Sequence, residues 1–323
     1  MRNYIIRRFL INIPVVLIVA TLVFFATSVL PGDFVAQRLA AQVPTGTTPA
    51  QRAAIINDAR KSIGLDEPLP ERYVKYLGHL VQGDFGTSYQ TKQPAIDQLK
   101  KGLPYSLQLA IMSLIIAILT SIPIGIISAI RQDSLPDYVL RIFAILFLAM
   151  PNFWVATMVL LYVVRWHLFT VPLTDQPLLW NDPLASLRLY AIPAVVGGLA
   201  SGAGVMRLLR SQMLEVLRQD YIRTAWAKGV RERVVVMRHA LKNAFVPVLT
   251  LLGLTVASLL SGNIVFEDIF GIPGVGYKIL VAINSRDVPV VQSFVVVIAT
   301  FIVFVNLGID LLYGLLDPRI RYT

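Results

Sequence analysis

The chain has 323 residues, of which 56% are hydrophobic and 15% are charged, and its mean hydropathy is +0.67. Soluble domains are usually about 45–50% apolar and about 25% charged, so this composition indicates a protein embedded in lipid. The absence of cysteine excludes disulfides, thiolate metal sites and cysteine nucleophiles, while the net charge of +10 fits either nucleic acid or anionic lipid as a partner.

Six apolar segments are long enough to cross a bilayer, because about 20 helical residues span a hydrocarbon core of about 30 Å. Several contain proline, which membrane helices tolerate when neighbouring helices satisfy the freed carbonyl groups. The first segment follows Arg2, Arg7 and Arg8 and could be a signal peptide. Its apolar run exceeds the roughly 7–15 residues of such peptides, which favours an uncleaved anchor. The segments are 9–30, 107–130, 138–164, 187–209, 244–266 and 290–316.

Lysine and arginine concentrate in four regions that six crossings place on one side of the membrane, which the positive-inside rule makes the cytoplasm. Residues 167–187, on the opposite side, contain none, and residues 267–289 contain only Lys278 and Arg286. The predicted topology is therefore N-in and C-in, and topology explains the net charge better than nucleic-acid binding does. The four basic regions are the N-terminus, the loop at Arg131, residues 210–242 and the tail with Arg319 and Arg321.

Residues 31–105 form a long polar segment between the first two predicted spans, on the external side in this topology. Loops longer than about 60 residues are largely exempt from the charge rule, so its basic residues do not contradict the assignment. Proline-containing stretches indicate turns at 44–49 and 68–70, and amphipathic patterns predict helices at 51–63 and 71–81. The predicted domains are the tail and first helix at 1–30, a small external subdomain at 31–105, and a membrane core at 106–323 with a cytoplasmic loop at 211–243.

The cytoplasmic loop contains a short predicted helix that is bounded by Asp220 and Gly229. Asp220 suits an N-cap, Gly229 suits the C′ position, and Lys228 suits the negative end of the helix. Ile222 and Trp226, four residues apart, place an apolar ridge on one face of a helix about 12 Å long. Such a helix fits either a groove of another protein or the inner membrane surface, and the residues alone favour neither.

Two glycine-containing stretches have a structural and a functional interpretation. Residues 271–276 lack the Gly-Lys-Ser/Thr ending of a phosphate loop and lie outside the cell, so an external turn is favoured. No Walker sequence occurs in the chain, and any ATP hydrolysis would belong to a partner. Small residues four apart, Gly197 with Ser201 and Gly198 with Gly202, favour close helix packing over a wide pore wall.

The ionisable residues do not predict an active site. The three histidines, His79, His167 and His239, fall on both sides of the membrane, so they predict neither a metal site nor a catalytic group. The centres of the spans carry almost no ionisable residues, and Asp310 lies near the cytoplasmic end of the last span. This pattern disfavours a proton- or sodium-coupled transporter, although a channel or a membrane scaffold stays open as an alternative.

Several stretches in order along the chain resemble one protein family. Residues 220–229 read Asp-Tyr-Ile-Arg-Thr-Ala-Trp-Ala-Lys-Gly, and residues 238–244 read Arg-His-Ala-Leu-Lys-Asn-Ala, with Pro247 after them. These motifs resemble the oligopeptide/dipeptide branch of the binding-protein-dependent ABC importer permeases. The general family motif of Glu-Ala-Ala, three residues and Gly, with Ile-x-Leu-Pro further on, is kept only in part. Other similar stretches lie at 30–33, 83–88, 151–154, 271–276 and 317–319.

This resemblance implies an all-α integral membrane protein with the type I ABC importer permease fold and no catalytic, metal or cofactor site of its own. The implied partners are a second, homologous permease, two cytoplasmic ATPase subunits that carry ATP and Mg, and an extracytoplasmic solute-binding protein, in the inner membrane and without nucleic acid. The implied substrate is a short peptide, with an oligosaccharide or nickel chelate as alternatives. The implied coupling helix contacts an ATPase through Asp220, Tyr221, Arg223, Thr224, Ala225, Trp226, Lys228 and Gly229.

Overall fold

The computed structural model describes residues 2–29, 48–62, 64–167, 176–262 and 264–316, and the regular elements in these ranges are helices. The predicted features at 30–33, 44–47 and 317–319, together with Arg319 and Arg321, lie outside the described residues. In chain order the helices are α1 Arg2–Val29, α2 Pro49–Ser62, α3 Leu69–Val81, α4 Ala95–Ile130, α5 Leu135–Ala149, α6 Asn152–Arg165, α7 Pro183–Leu217, α8 Asp220–Ala227, α9 Glu232–Val234, the π-helical turn π1 Val235–Ala240, α10 Leu241–Gly262, α11 Ile264–Ile269, α12 Val275–Asn284 and α13 Val288–Leu316.

Long apolar helices dominate the described chain, which confirms the predicted all-α integral membrane fold. Four of the prolines in the predicted spans, Pro14, Pro123, Pro193 and Pro247, lie inside continuous helices. Among the described residues, five stretches are long and apolar enough to cross a membrane: Leu10–Val29, Ala95–Ile130, Pro183–Leu217, Glu232–Leu259 and Val288–Ile309.

The predicted third span is not a single helix, because α5 and α6 meet at an angle of 101°. The break lies at Met150, which is extended with φ −81° and ψ 134°, and at Pro151. Proline lacks an N–H and disfavours the helical conformation in the residue before it, which explains the break.

Together, α5 and α6 nevertheless contact α7 at positions far apart along its length. Asp137, near the start of α5, forms an ion pair with Arg210 at 2.7 Å, whereas Ala156 of α6 packs in a buried cluster with Tyr190. At 1.5 Å per residue, Arg210 and Tyr190 are separated by about 30 Å along α7. These contacts favour a single broken span over a re-entrant loop.

Glycines of α7 allow close contact with α4. A Cβ added at Gly198 would lie 2.7 Å from the Ser113 carbonyl oxygen, and one at Gly202 would lie 3.2 Å from the Ala117 carbonyl oxygen. A Cβ at Gly197 would lie 3.2 Å from the Ser113 Oγ atom. The prediction of tight packing is therefore confirmed for these three glycines.

The stretch at 271–276 forms a turn that encloses the side chain of Glu267, which is only 1% exposed. Its carboxylate accepts hydrogen bonds from Ser106 Oγ at 2.5 Å and from the Tyr277 backbone N–H at 2.9 Å. Burial raises the pKa of Glu267, and these hydrogen bonds offset part of the rise. A Cβ at Gly274 would clash with the Glu267 carboxyl group, so the glycine leaves space for this side chain.

The described chain forms two compact units, of which the larger contains residues 102–277 and the smaller contains residues 7–101 and 278–300. In the smaller unit, α2 and α3 each begin two residues before the predicted helices at 51–63 and 71–81, and position 63 is not described. The amphipathic prediction is confirmed for α3 but is wrong for α2, which has no pronounced apolar face. The Asp287 carboxylate accepts hydrogen bonds from the Ser88 hydroxyl and from the Tyr89 backbone N–H, so it holds the loop after α3.

Candidate coupling helix

The predicted cytoplasmic helix is present as α8, but it begins one position earlier than the N-cap prediction required. Gln219 is the N-cap, with an extended backbone at φ −72° and ψ 148°, and Asp220 is the first helical residue. The N-cap prediction for Asp220 is therefore wrong. The Asp220 side chain is 97% exposed and lies 3.6 Å from Arg223, and its charge still lies near the positive end of the helix.

The C-terminus of α8 ends as the sequence predicts. Gly229 has φ +76°, in the left-handed region that glycine adopts without a Cβ clash. Its N–H donates to the Trp226 carbonyl at 2.9 Å, and the Val230 N–H donates to the Ala225 carbonyl at 3.2 Å. This pair of hydrogen bonds is a Schellman motif, and Lys228 is the C-cap residue.

The predicted apolar ridge of α8 does not face outward as one surface. Ile222 is fully buried and packs in a cluster with Met213 of α7 and Val235 of π1, whereas Trp226 is 43% exposed. Helical spacing identifies an apolar face but not the surface that covers it. Ile222 therefore fastens α8 to the rest of this chain, and Trp226 remains accessible.

The predicted contact residues lie mostly on the accessible side of α8. Tyr221 is exposed, and its phenolic oxygen accepts a hydrogen bond from Asn243 Nδ2 of α10 at 3.1 Å. Ala225 is half-buried and packs against the cluster around Ile222. The accessible residues are Asp220, Tyr221, Arg223, Thr224, Trp226, Lys228 and Gly229.

Two features of the larger unit are not predicted from the sequence. One is π1, whose Val235 and Ala240 are buried in the same cluster as Ile222, and whose geometry has no reliable sequence signal. The other is the buried ion pair of Asp137 and Arg210, in which Ser128 also donates to Asp137. The sequence indicates this pair only through Arg210, a basic residue directly after the apolar segment 187–209.

Substituting Gly229 by alanine is expected to weaken the end of α8 by about 1 kcal/mol, because alanine is strained at a positive φ. We expect amide hydrogen exchange at residues 229 and 230 to accelerate about five-fold. Gly78→Ala in α3 is the matched control, since its Cβ would meet nothing within 4 Å and its φ is ordinary. Unchanged exchange in Gly229→Ala would contradict the cap assignment.

The whole chain can be compared with models of known protein families. A family model described as "Binding-protein-dependent transport system inner membrane component" matches residues 121–322. A second model, for the N-terminal part of such a membrane component, matches residues 1–110. The chain belongs to this family. It is therefore a non-catalytic, multi-pass permease subunit of an ABC importer in the inner membrane.

Similar proteins of this family match over their whole length. The dipeptide transport system permease protein DppB of Alkalihalophilus pseudofirmus is 38% identical, with 100% of both chains covered. The oligopeptide transport system permease protein AppB of Bacillus subtilis is also 38% identical, and the glutathione transport system permease protein GsiC of Salmonella choleraesuis is 36% identical, each with 100% coverage. Membership of the family implies partner permease, ATPase and binding-protein subunits.

Proposed function

We propose that this permease translocates short peptides that an extracytoplasmic binding protein delivers. The observation that carries the proposal is full-length similarity to relatives that are named for dipeptide, oligopeptide and glutathione transport. An oligosaccharide or a nickel chelate would use the same machinery, but no feature of the described residues favours either. ATP and Mg belong to the ATPase partners in this proposal, and the second permease is a different, homologous chain.

The proposed topology has both termini in the cytoplasm. If α5 and α6 form one broken span, the chain crosses the membrane six times, and the basic region that contains α8 lies inside. Residues 31–105 are then the external subdomain, and residues 106–323 are the permease core with a coupling loop at 211–243. The contacts of the bent pair along α7 support this count.

The proposed role of α8 is to transmit movement from an ATPase to the membrane helices. Its outer face offers Trp226, Tyr221 and Arg223, a combination of aromatic and basic residues that protein interfaces favour. Its inner face is fastened through Ile222 to α7 and α10. A docked helix that is packed in this way passes on a rigid-body displacement that a flexible loop would absorb. Docking is therefore favoured over a helix that merely lies on the lipid surface.

Co-purification from membranes in mild detergent tests this role. We expect the double variant Trp226→Ala and Arg223→Glu to lose the ATPase but to keep the second permease, because it alters the outer face and leaves Ile222 in place. Labelled dipeptide uptake should fall in parallel. Trp180→Ala with Arg188→Glu is the matched control, since both side chains are exposed at a distance from α8.

The control variant should retain both partners and normal uptake. If the α8 variant holds its ATPase as well as the control does, α8 is not the docking element. If the ATPase is lost as predicted but the intact complex takes up no peptide, the coupling role stands and the peptide substrate is wrong.

A further inference from the structure

The smaller unit contains a cleft of about 420 Å³ that the proposed role of α8 does not use. One wall is α3, and the other is the loop at 84–87 together with the start of α13. Phe24 and Tyr76 contribute aromatic surface, with their rings stacked at a centroid distance of 5.3 Å. The volume falls within the range of about 300–1,000 Å³ that is typical of small-molecule sites.

The loop wall of this cleft is firmly held, which favours a built site over an incidental gap. It contains the Gly-Asp-Phe-Gly-Thr-Ser stretch at 83–88, one of the motifs found in the sequence. Asp287, only 2% exposed, accepts hydrogen bonds from the Ser88 hydroxyl and from the N–H groups of Tyr89 and Gln90. The Ser293 hydroxyl donates to the Phe85 carbonyl. These bonds tie the loop to the start of α13.

Two pairs of side chains that line the cleft are hydrogen-bonded to each other. Lys75 lies 2.6 Å from Glu67, and His79 lies 2.9 Å from Asp84. Arg72 also lines the cleft, but it has no ion pair or hydrogen bond among the described residues. Its charge reaches Tyr89, where burial raises the pKa of the phenol and Arg72 offsets part of the rise.

A guanidinium that makes no ion pair with the described residues and lies beside aromatic surface is suited to a ligand that carries a carboxylate and an apolar body. Arginine binds a carboxylate through two parallel hydrogen bonds, and aromatic rings accept apolar side chains in the same small site. We propose that this cleft binds free short peptides, with the terminal carboxylate of the peptide paired to Arg72. The choice of a peptide rests on the proposed function, and the cleft would be a substrate site on the permease itself.

Direct binding to the purified transporter complex, without its binding protein, tests this site. The probe is the dipeptide alanyl-phenylalanine, measured by calorimetry with the complex in nanodiscs. We expect Arg72→Gln to weaken binding by about 10- to 100-fold, because a charge-assisted hydrogen-bonded pair is lost. Arg72→Lys should lose less, since the charge remains but the paired geometry does not. Arg188→Gln, at an exposed arginine of α7, should bind like the wild type.

A chemical variant of the probe makes the test independent of folding. The dipeptide with an amidated C-terminus should bind wild type as weakly as the free peptide binds Arg72→Gln, and the two changes together should cause no further loss. Equal binding of the acid and the amide would overturn the proposal, as would an unchanged affinity of Arg72→Gln for the dipeptide.

If no free peptide binds while binding-protein-dependent peptide uptake persists, the cleft proposal fails and the proposed function stands. If Arg72→Gln weakens only capture of the binding protein, the cleft is a docking surface and the proposal is again wrong.

Discussion

The Gly198→Ala variant is expected to be destabilised by about 3 kcal/mol, although alanine is the better helix former. The added Cβ would lie 2.7 Å from the Ser113 carbonyl oxygen and 2.8 Å from the Ile116 Cβ, both on α4. Overpacking costs about 1–3 kcal/mol, and the upper part of that range applies because a helix backbone cannot rotate away as a side chain can. The free energy of unfolding in mixed detergent micelles measures the effect.

Gly204→Ala is the matched control, because it is the same substitution in the same helix. A Cβ at Gly204 would meet nothing within 4 Å, so we expect no loss of stability and at most a gain of about 1 kcal/mol from helix propensity. The difference between the two variants isolates the contact with α4 from the change in propensity. Similar stabilities for the two variants would show that α4 and α7 are not packed as closely as the structure indicates.

The prolines show how far the membrane fold can be predicted from sequence. Apolar length located the long helices, because the thickness of lipid sets a minimum run of residues. It did not distinguish Pro151, where the backbone breaks, from Pro123 or Pro193, which lie in continuous helices. Whether a proline kinks or breaks a helix depends on the neighbours that satisfy the freed carbonyl group, and those neighbours come from distant parts of the chain.

The sequence predicts the position of α8 well and its surroundings less well. The position of α8 and its glycine stop follow from local rules that act within one turn. The burial of Ile222 does not, because its partners Met213 and Val235 belong to other elements. The spacing of Ile222 and Trp226 therefore predicts a single apolar ridge, whereas the fold buries Ile222 and leaves Trp226 exposed.

Buried polar partners are the part of the structure that was least accessible from the sequence. Glu267 and Ser106 are 161 positions apart, and Asp287 and Ser88 are 199 positions apart, yet each pair is hydrogen-bonded and buried. In the sequence these carboxylates resemble ordinary loop charges. Only the fold shows that they hold turns in place, since a buried polar group is stable only when it is hydrogen-bonded.

Removing the Asp137 side chain is expected to destabilise the protein by about 3 kcal/mol. Asp137 is fully buried, and its carboxylate accepts from Arg210 at 2.9 and 2.7 Å, from the Ser128 hydroxyl and from the Asp133 backbone N–H at 3.1 Å. Asp137→Ala would leave a guanidinium that is only 15% exposed without its counter-charge. Breaking a buried pair costs about 3–5 kcal/mol, and the partial exposure of Arg210 favours the lower figure. The free energy of unfolding in mixed detergent micelles also measures this effect.

Two further variants separate the loss of the ion pair from the loss of a charge. Asp268→Ala removes an exposed carboxylate and should change stability by less than about 0.5 kcal/mol. The double variant Asp137→Leu with Arg210→Met should recover most of the stability, because an apolar pair of similar volume leaves no unpaired buried charge.

If dipeptide uptake also recovers in the double variant, the ion pair serves stability alone. If the double variant is stable but takes up little peptide, the pair also sets the position of α5 against α7, two turns before the helix ends and the chain enters α8. If the double variant is as unstable as Asp137→Ala, the ion pair stabilises the fold by more than the mutual neutralisation of two buried charges.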